Sequence, residues 1–356
     1  MKRCLFYIQN LLRNRSMLYR EIIMKETVKK YTIFLAVSLT IFIVLFGASL
    51  IIGEPFVSVN TLIEMISGKE VEKISQIVVN EIRLPRAIIA LMSGMMLAIT
   101  GVLLQESFQN HLAGPELIGV SSGASFMMAI ITVFHLPISF SLHPLLAFIG
   151  GLTSGLIVIG SALGKLQKSS FILIGTAVSA FLGALVIIII SLGKQNDIGL
   201  MLFFLTGSLA NRNWTHVGNL LPWFIIFTPA SMLIARVLNL LRLGDEAAQG
   251  RGLPVQTVRL LILFIGVLLV SSVIANCGPI GYISLLAPHL ARKMLRTENA
   301  FKVLPTAAMI GSVLLLGADL AARLLFYPLE IPVGLLTTII GGSILLIFLV
   351  KRRSNK

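Results

Sequence analysis

The chain has 356 residues, 56% of them hydrophobic and only 12% charged, with a mean hydropathy of +0.94. That balance excludes a water-soluble globular domain and indicates an all-α polytopic membrane protein. A formal net charge of +14 would suit nucleic acid, but Lys and Arg gather in short segments between apolar runs rather than along one amphipathic face, so no nucleic-acid partner is expected.

In chain order, residues 1–30 form a basic segment with a weak apolar pattern and no secretory-signal core or cleavage site. Met24 opens Met-Lys-Glu-Thr-Val-Lys-Lys just before the first apolar run, and we read it as an alternative initiator. Residues 31–353 form a single transmembrane domain. A span needs about 20 apolar residues, and ten are expected, at 31–52, 84–105, 117–135, 143–163, 170–192, 218–240, 255–275, 281–295, 304–325 and 333–350. The eighth is short, beside Gly278-Pro279. Ten crossings put both termini on one side. Of the 29 Lys and Arg, only Lys69, Lys73, Arg83, Arg86, Lys194, Arg212 and Arg323 then fall on the opposite side. The positive-inside rule makes both termini cytoplasmic and the protein a multi-pass component of the cytoplasmic membrane. Cys4 and Cys277 fall on opposite sides and cannot pair within the chain.

Leu243-Gly-Asp-Glu-Ala-Ala-Gln-Gly-Arg-Gly252 stands out between two apolar runs, within an expected cytoplasmic segment 243–253. Asp245 can cap the next backbone N–H groups and Glu246 suits a helix N-terminus. Ala247 and Ala248 add a turn of little bulk, and Gly250 and Gly252 end it. Such a segment reads either as an ordinary interhelical turn or as a small charged knob that docks into a groove of another protein. On the far side Arg83 and Arg86, three apart, point roughly the same way, and Asp319 is the i,i+4 partner of Arg323. The alternative is that these arginines are interfacial snorkelling residues or helix-end anchors. Gly175, Thr176, Ser179 and Gly183 line one side of the fifth span, a pattern that suits close helix packing or a pore.

Several motifs in order then carry a resemblance. They are Arg83-Leu-Pro-Arg86, Asn110-His-Leu-Ala-Gly-Pro115, Gly119-Val-Ser-Ser-Gly-Ala124, Leu243-Gly-Asp-Glu-Ala-Ala248, Gly278-Pro-Ile280, Ala287-Pro-His-Leu-Ala-Arg292, Gly317-Ala-Asp-Leu-Ala-Ala-Arg323 and Glu330-Ile-Pro-Val-Gly334. From about residue 31 onward the chain resembles the FecCD-type permease subunits of iron-siderophore and cobalamin ABC importers. There are two departures: His111 replaces a usual proline, and Ile340-Gly-Gly-Ser-Ile-Leu345 lacks the usual proline and aromatic.

The resemblance implies a cobalamin-permease-like fold and a set of partners: an ABC ATPase dimer, a second identical or similar permease subunit, and an extracytoplasmic substrate-binding protein. It makes Asp245, Glu246, Ala247, Ala248, Arg251 and Gly252 the ATPase coupling residues. Arg83, Arg86 and Arg323 become the docking set for acidic residues of the binding protein. The path would follow the fifth span, with Thr176 and Ser179, and a short helix after it. The expected cargo is an iron(III)-siderophore, with cobalamin or haem as the alternatives.

No catalytic residue and no metal site is expected, because the five histidines are scattered without paired spacing. The chain has no GxxxxGK[ST]; Gly160-Ser-Ala-Leu-Gly-Lys-Leu166 has the wrong spacing and no hydroxyl for magnesium. ATP and magnesium are therefore expected to be used by the partner, with no cofactor bound here. An ion-coupled secondary transporter would need titratable groups near mid-membrane. By this reading Asp319 is the sole acid well inside a span, and it lies one turn from Arg323.

Overall fold

The computed structural model describes residues 31–32, 35–69, 71–161 and 168–354, and among them no strand occurs. The initiator question at Met24 and most of the 160–166 string lie outside the described residues.

Each expected apolar stretch contains a helix. In order they are α1 (Leu35–Ile51), α4 (Leu84–Phe108), α5 (Val120–Val133), α6 (His143–Ser161), α7 (Lys168–Ser191), α9 (Trp214–Leu233) running into α10 (Ala235–Leu241), α12 (Val255–Cys277), α13 (Ile283–Leu295), α14 (Ala300–Leu324) and α15 (Val333–Ser354). By length and composition, five of the described helices can cross a membrane, or six if the α9–α10 pair, bent by 51°, is one span. Two of the shorter ones have a local cause. Pro115–Ile118 winds as a 3-10 turn ending at Gly119, so α5 starts late. Gly278 to Tyr282 is not helical, with Tyr282 at φ 65°, so α13 has only 13 residues.

Shorter helices lie between the spans. α2 (Val59–Ile66) and α3 (Lys73–Ile77) fall between the first two apolar stretches, and α8 (Gln195–Thr206) follows α7. Ser58 starts α2 by accepting the Thr61 N–H at 3.1 Å. α3 runs through a π turn, Val78–Arg83, directly into α4, so Pro85 lies inside a continuous helix and withholds an N–H; the Asn80 carbonyl upstream accepts from Trp214 Nε1 at 2.9 Å instead.

α4 is the axis of the bundle: 83% of its apolar window is buried. Glycines let neighbours approach it at backbone distance. A Cβ on Gly94 would strike the Gly311 carbonyl of α14, one on Gly311 would strike the Gly94 carbonyl, and one on Gly101 would strike the Ser284 carbonyl of α13. α5 and α6 meet in the same way through Gly123 and Gly150. In lipid, where hydrophobic burial does not distinguish a helix from a lipid tail, such close contact supplies much of the association. α7 is the contrast, with only 11% of its window buried.

Candidate functional site

The segment 243–252 folds as a knob. Gly244 has φ 105°, a conformation L side chains rarely adopt, and it turns the chain into α11 (Asp245–Gln249). The Ala248 N–H bonds to the Gly244 carbonyl at 3.0 Å, and the Ala248 carbonyl accepts from Arg251 and Leu253 at 3.1 Å each. Ala248 is fully buried, which anchors the turn, and Gly252 at φ 81° leads out of it. Glu246, Ala247, Gln249, Arg251 and Gly252 are exposed.

The capping role expected of Asp245 does not occur. Gly244 holds the cap position and no side chain caps the helix. The Asp245 carboxylate instead accepts from both terminal nitrogens of Arg259, at 2.8 and 3.2 Å. Arg259 is only 2% exposed, and a buried guanidinium without a counter-charge is far costlier than an uncapped N–H at a wet helix end. Its Nε donates to the Ser107 carbonyl in the last turn of α4 at 3.0 Å.

A second ionic group lies beside it. Arg292 of α13 donates to Glu106 at 2.9 Å and to Gln105, all three being buried. Glu298 pairs with both Arg292 and Arg242 at 3.3 Å. Gln109 donates to the Leu241 carbonyl at the end of α10 at 2.6 Å. His111 is held below its ordinary pKa, first by desolvation and then by Arg292, against the opposing pull of Glu298 and Glu106. Because α4 extends to Phe108, Glu106 is a second acid buried within a membrane helix, besides Asp319. Sequence reading missed Arg259, Glu106 and Arg292 as a group. The available signal was a charged residue just inside the end of an apolar run, which demands a partner.

At the opposite end the three expected docking arginines are buried or nearly so. Arg83 donates to the Leu50, Ile51 and Pro55 carbonyls at 2.7 to 2.9 Å, tying down the C-terminus of α1, and Gly53 leaves room for its guanidinium. Arg86 binds Asp319 through Nε and Nη2 at 2.9 to 3.1 Å and Glu330 through Nη1 at 2.9 Å. Arg323 makes the expected pair with Asp319, at 3.4 Å. Asp319 is thus shared, and Arg86 holds it the more closely. Arg83 and Arg86 sit at one end as expected but separate there, because each meets a different acceptor: free helix-end carbonyls for one, a fully buried carboxylate for the other.

The small-residue side of the fifth span also divides. Gly175 abuts the Leu117 carbonyl, and Ser179 donates to the Glu116 carbonyl at 3.1 Å, so both pack on the 3-10 turn. Thr176 is exposed, its hydroxyl bonded within its own helix to Leu173 at 2.9 Å. Beside that turn a cavity of about 350 Å³ opens between Glu116, Thr206, Ile280, Tyr282 and Thr338. The irregular backbone of 115–119 and 278–282 borders it, as expected where non-helical chain lies at membrane depth.

Apolar helices packed through glycine contacts, closed at both ends by buried ion pairs and carrying a small helical knob at one end, define a multi-pass membrane protein of permease type. Comparison with known proteins agrees. The FecCD transport family matches residues 41–351, and the chain belongs to that family. It is 35% identical to the Fe(3+)-citrate import system permease protein YfmE of Bacillus subtilis (strain 168), over 94% of this chain and 100% of that one. It is 39% identical to the Fe(3+) dicitrate transport system permease protein FecD of Escherichia coli (strain K12), over 78% of this chain and 86% of that one. A solved structure described as an inward-facing metal-chelate type ABC transporter superposes with a TM-score of 0.79 at 28% identity, covering 90% of this chain and 99% of the other.

Proposed function

We propose that this chain is the permease subunit of an ATP-binding cassette importer that carries an iron(III) chelate across the cytoplasmic membrane, with ferric citrate the first cargo to test. The observation that carries the reading is the exposed knob at Glu246, in a chain whose relatives include permeases named for ferric citrate, hemin and ferric hydroxamate. Two ATPase subunits bind at this end through Glu246, Ala247, Arg251 and Gly252, with Ala248 as the buried foot. They hydrolyse ATP, and nothing in the proposed mechanism asks this chain for chemistry of its own.

In this arrangement the shorter helices complete ten crossings and both termini face the cytoplasm, as the distribution of Lys and Arg supports. A second permease subunit covers α7, whose exposed apolar side is in keeping with an interface, and cargo passes along that interface near Thr176. Ser179 serves to seat α7 on the 3-10 turn. A binding protein docks at the other end onto Arg86, next to Arg323, while Arg83 serves to hold the end of α1. An incoming carboxylate there competes with Glu330, whose side chain is 45% exposed, for Arg86.

The test is radiolabelled iron uptake in iron-starved cells lacking this permease, offering ferric citrate, ferric hydroxamate and cobalamin separately. Loss of ferric citrate uptake, restored by the native gene but not by Glu246→Lys, is the expected result. The Glu246→Lys protein should insert normally and copurify with less ATPase. Full association and transport by that variant would remove the coupling reading, whereas a defect confined to cobalamin would keep the mechanism and change the cargo.

A further inference from the structure

Resting on the reading of α11 as the ATPase contact, we infer that Arg259 is the positioning residue that locks the knob to the membrane helices and carries its motion to α4. The knob has one buried foot, Ala248, and a glycine hinge at each end. Gly244 and Gly252 both adopt positive φ, and neither has space-filling neighbours within 4 Å of where a Cβ would stand. A push on Glu246 would pivot the segment on these two glycines and be lost unless something rigid crossed the gap.

Arg259 crosses it. Its two terminal nitrogens hold the Asp245 carboxylate at 2.8 and 3.2 Å, and its Nε holds the Ser107 carbonyl at 3.0 Å. One planar guanidinium therefore joins α11, the first turns of α12 and the last turn of α4. The fork suits this work: it presents donors in a fixed plane, whereas a lysine ammonium on a flexible stem would not define the angle between its partners. From α4 the connection continues, through Gln105 and Glu106 to Arg292 of α13 and through Gln109 to the end of α10. All three guanidinium nitrogens of Arg259 donate inside the permease, and Asp245 is assigned to this lock, which leaves Glu246 and Arg251 as the outward-facing charges of the knob.

The experiment uses the complete transporter, with ATPase and binding protein, reconstituted in proteoliposomes, and measures ATPase copurification, ATP hydrolysis and cargo moved per ATP. Arg259→Met and Asp245→Asn should retain ATPase at the native ratio and continue to hydrolyse ATP, while cargo per ATP falls at least about fivefold. Asp245→Glu, which keeps the carboxylate, should retain most transport. The double variant should be no worse than either single one, as expected of two residues acting as one unit. Native cargo per ATP in the single variants, or losses that multiply in the double variant, would overturn the inference. Should Arg259→Met fail to fold, the contrast between Asp245→Asn and Asp245→Glu decides the matter. Failure of the native permease to recruit ATPase, or normal recruitment by Glu246→Lys, would instead sink the coupling reading itself.

Discussion

Charge buried at the helix ends is the main consequence of single residues in this protein. Glu106 and Arg292 face each other with side chains only 4% and 6% exposed. Removing one partner leaves an uncompensated charge, so Arg292→Met should lower stability by about 3–5 kcal/mol. Glu106→Gln together with Arg292→Met should cost clearly less than the two single changes summed, read by thermal unfolding in detergent. His111 adds a pH dependence. Its folded pKa lies below the ordinary 6.5, so between the two values the unfolded chain binds more protons than the folded one. Stability should therefore fall as pH drops below about 6.5, and His111→Gln should reduce the slope over that window; an unchanged slope would remove His111 from the cluster. At this scale the sequence was legible where partners lie one helical turn apart, as with Asp319 and Arg323. It was silent on Arg86 and Asp319, 233 residues apart, because no local rule selects among distant acids.

Elements were legible by their apolar runs, and their contacts were not. The stripe of Gly175, Thr176, Ser179 and Gly183 read as close packing before pore, and the fold gives Gly175 and Ser179 to packing while leaving Thr176 exposed. α8 came from resemblance rather than periodicity, and α2 from neither, since eight residues are too few to establish a period. The glycines of α4 make the sharpest prediction at this scale. Gly94→Leu forces α4 away from α14, with a loss of at least about 1–3 kcal/mol. Gly183→Leu, with nothing within 4 Å of its Cβ position, should be tolerated. Equal losses of detergent-stable protein from both variants would mean that the α4–α14 contact is not the limiting one.

As a whole molecule the bundle has a covered axis and an uncovered flank. On α7, Ile187 is 70% exposed, Phe181 65% and Leu173 71%, so apolar side chains along its whole length need lipid or a second permease to cover them. Ile187→Cys, in a background with Cys4 and Cys277 replaced by serine, should form a disulfide with a cysteine placed at the matching position of the partner permease in membranes under mild oxidation. Absence of any cross-linked band would assign this flank to lipid.

Composition and the spacing of apolar runs were enough to determine a helical membrane protein and the chain positions of its main helices, because lipid requires every backbone polar group to be satisfied inside its own segment. Motif order was enough to indicate the family, since each motif marks a local turn or helix end that its own residues specify. Only the tertiary structure decided which charges are spent. Asp245, Arg83 and Arg86 look available in the sequence, yet each is held by a group that the fold brings from another part of the chain. The physical reason is the high cost of leaving charge unpaired in a low-dielectric interior: a buried ion takes the best acceptor or donor within reach, and reach is a property of packing rather than of sequence.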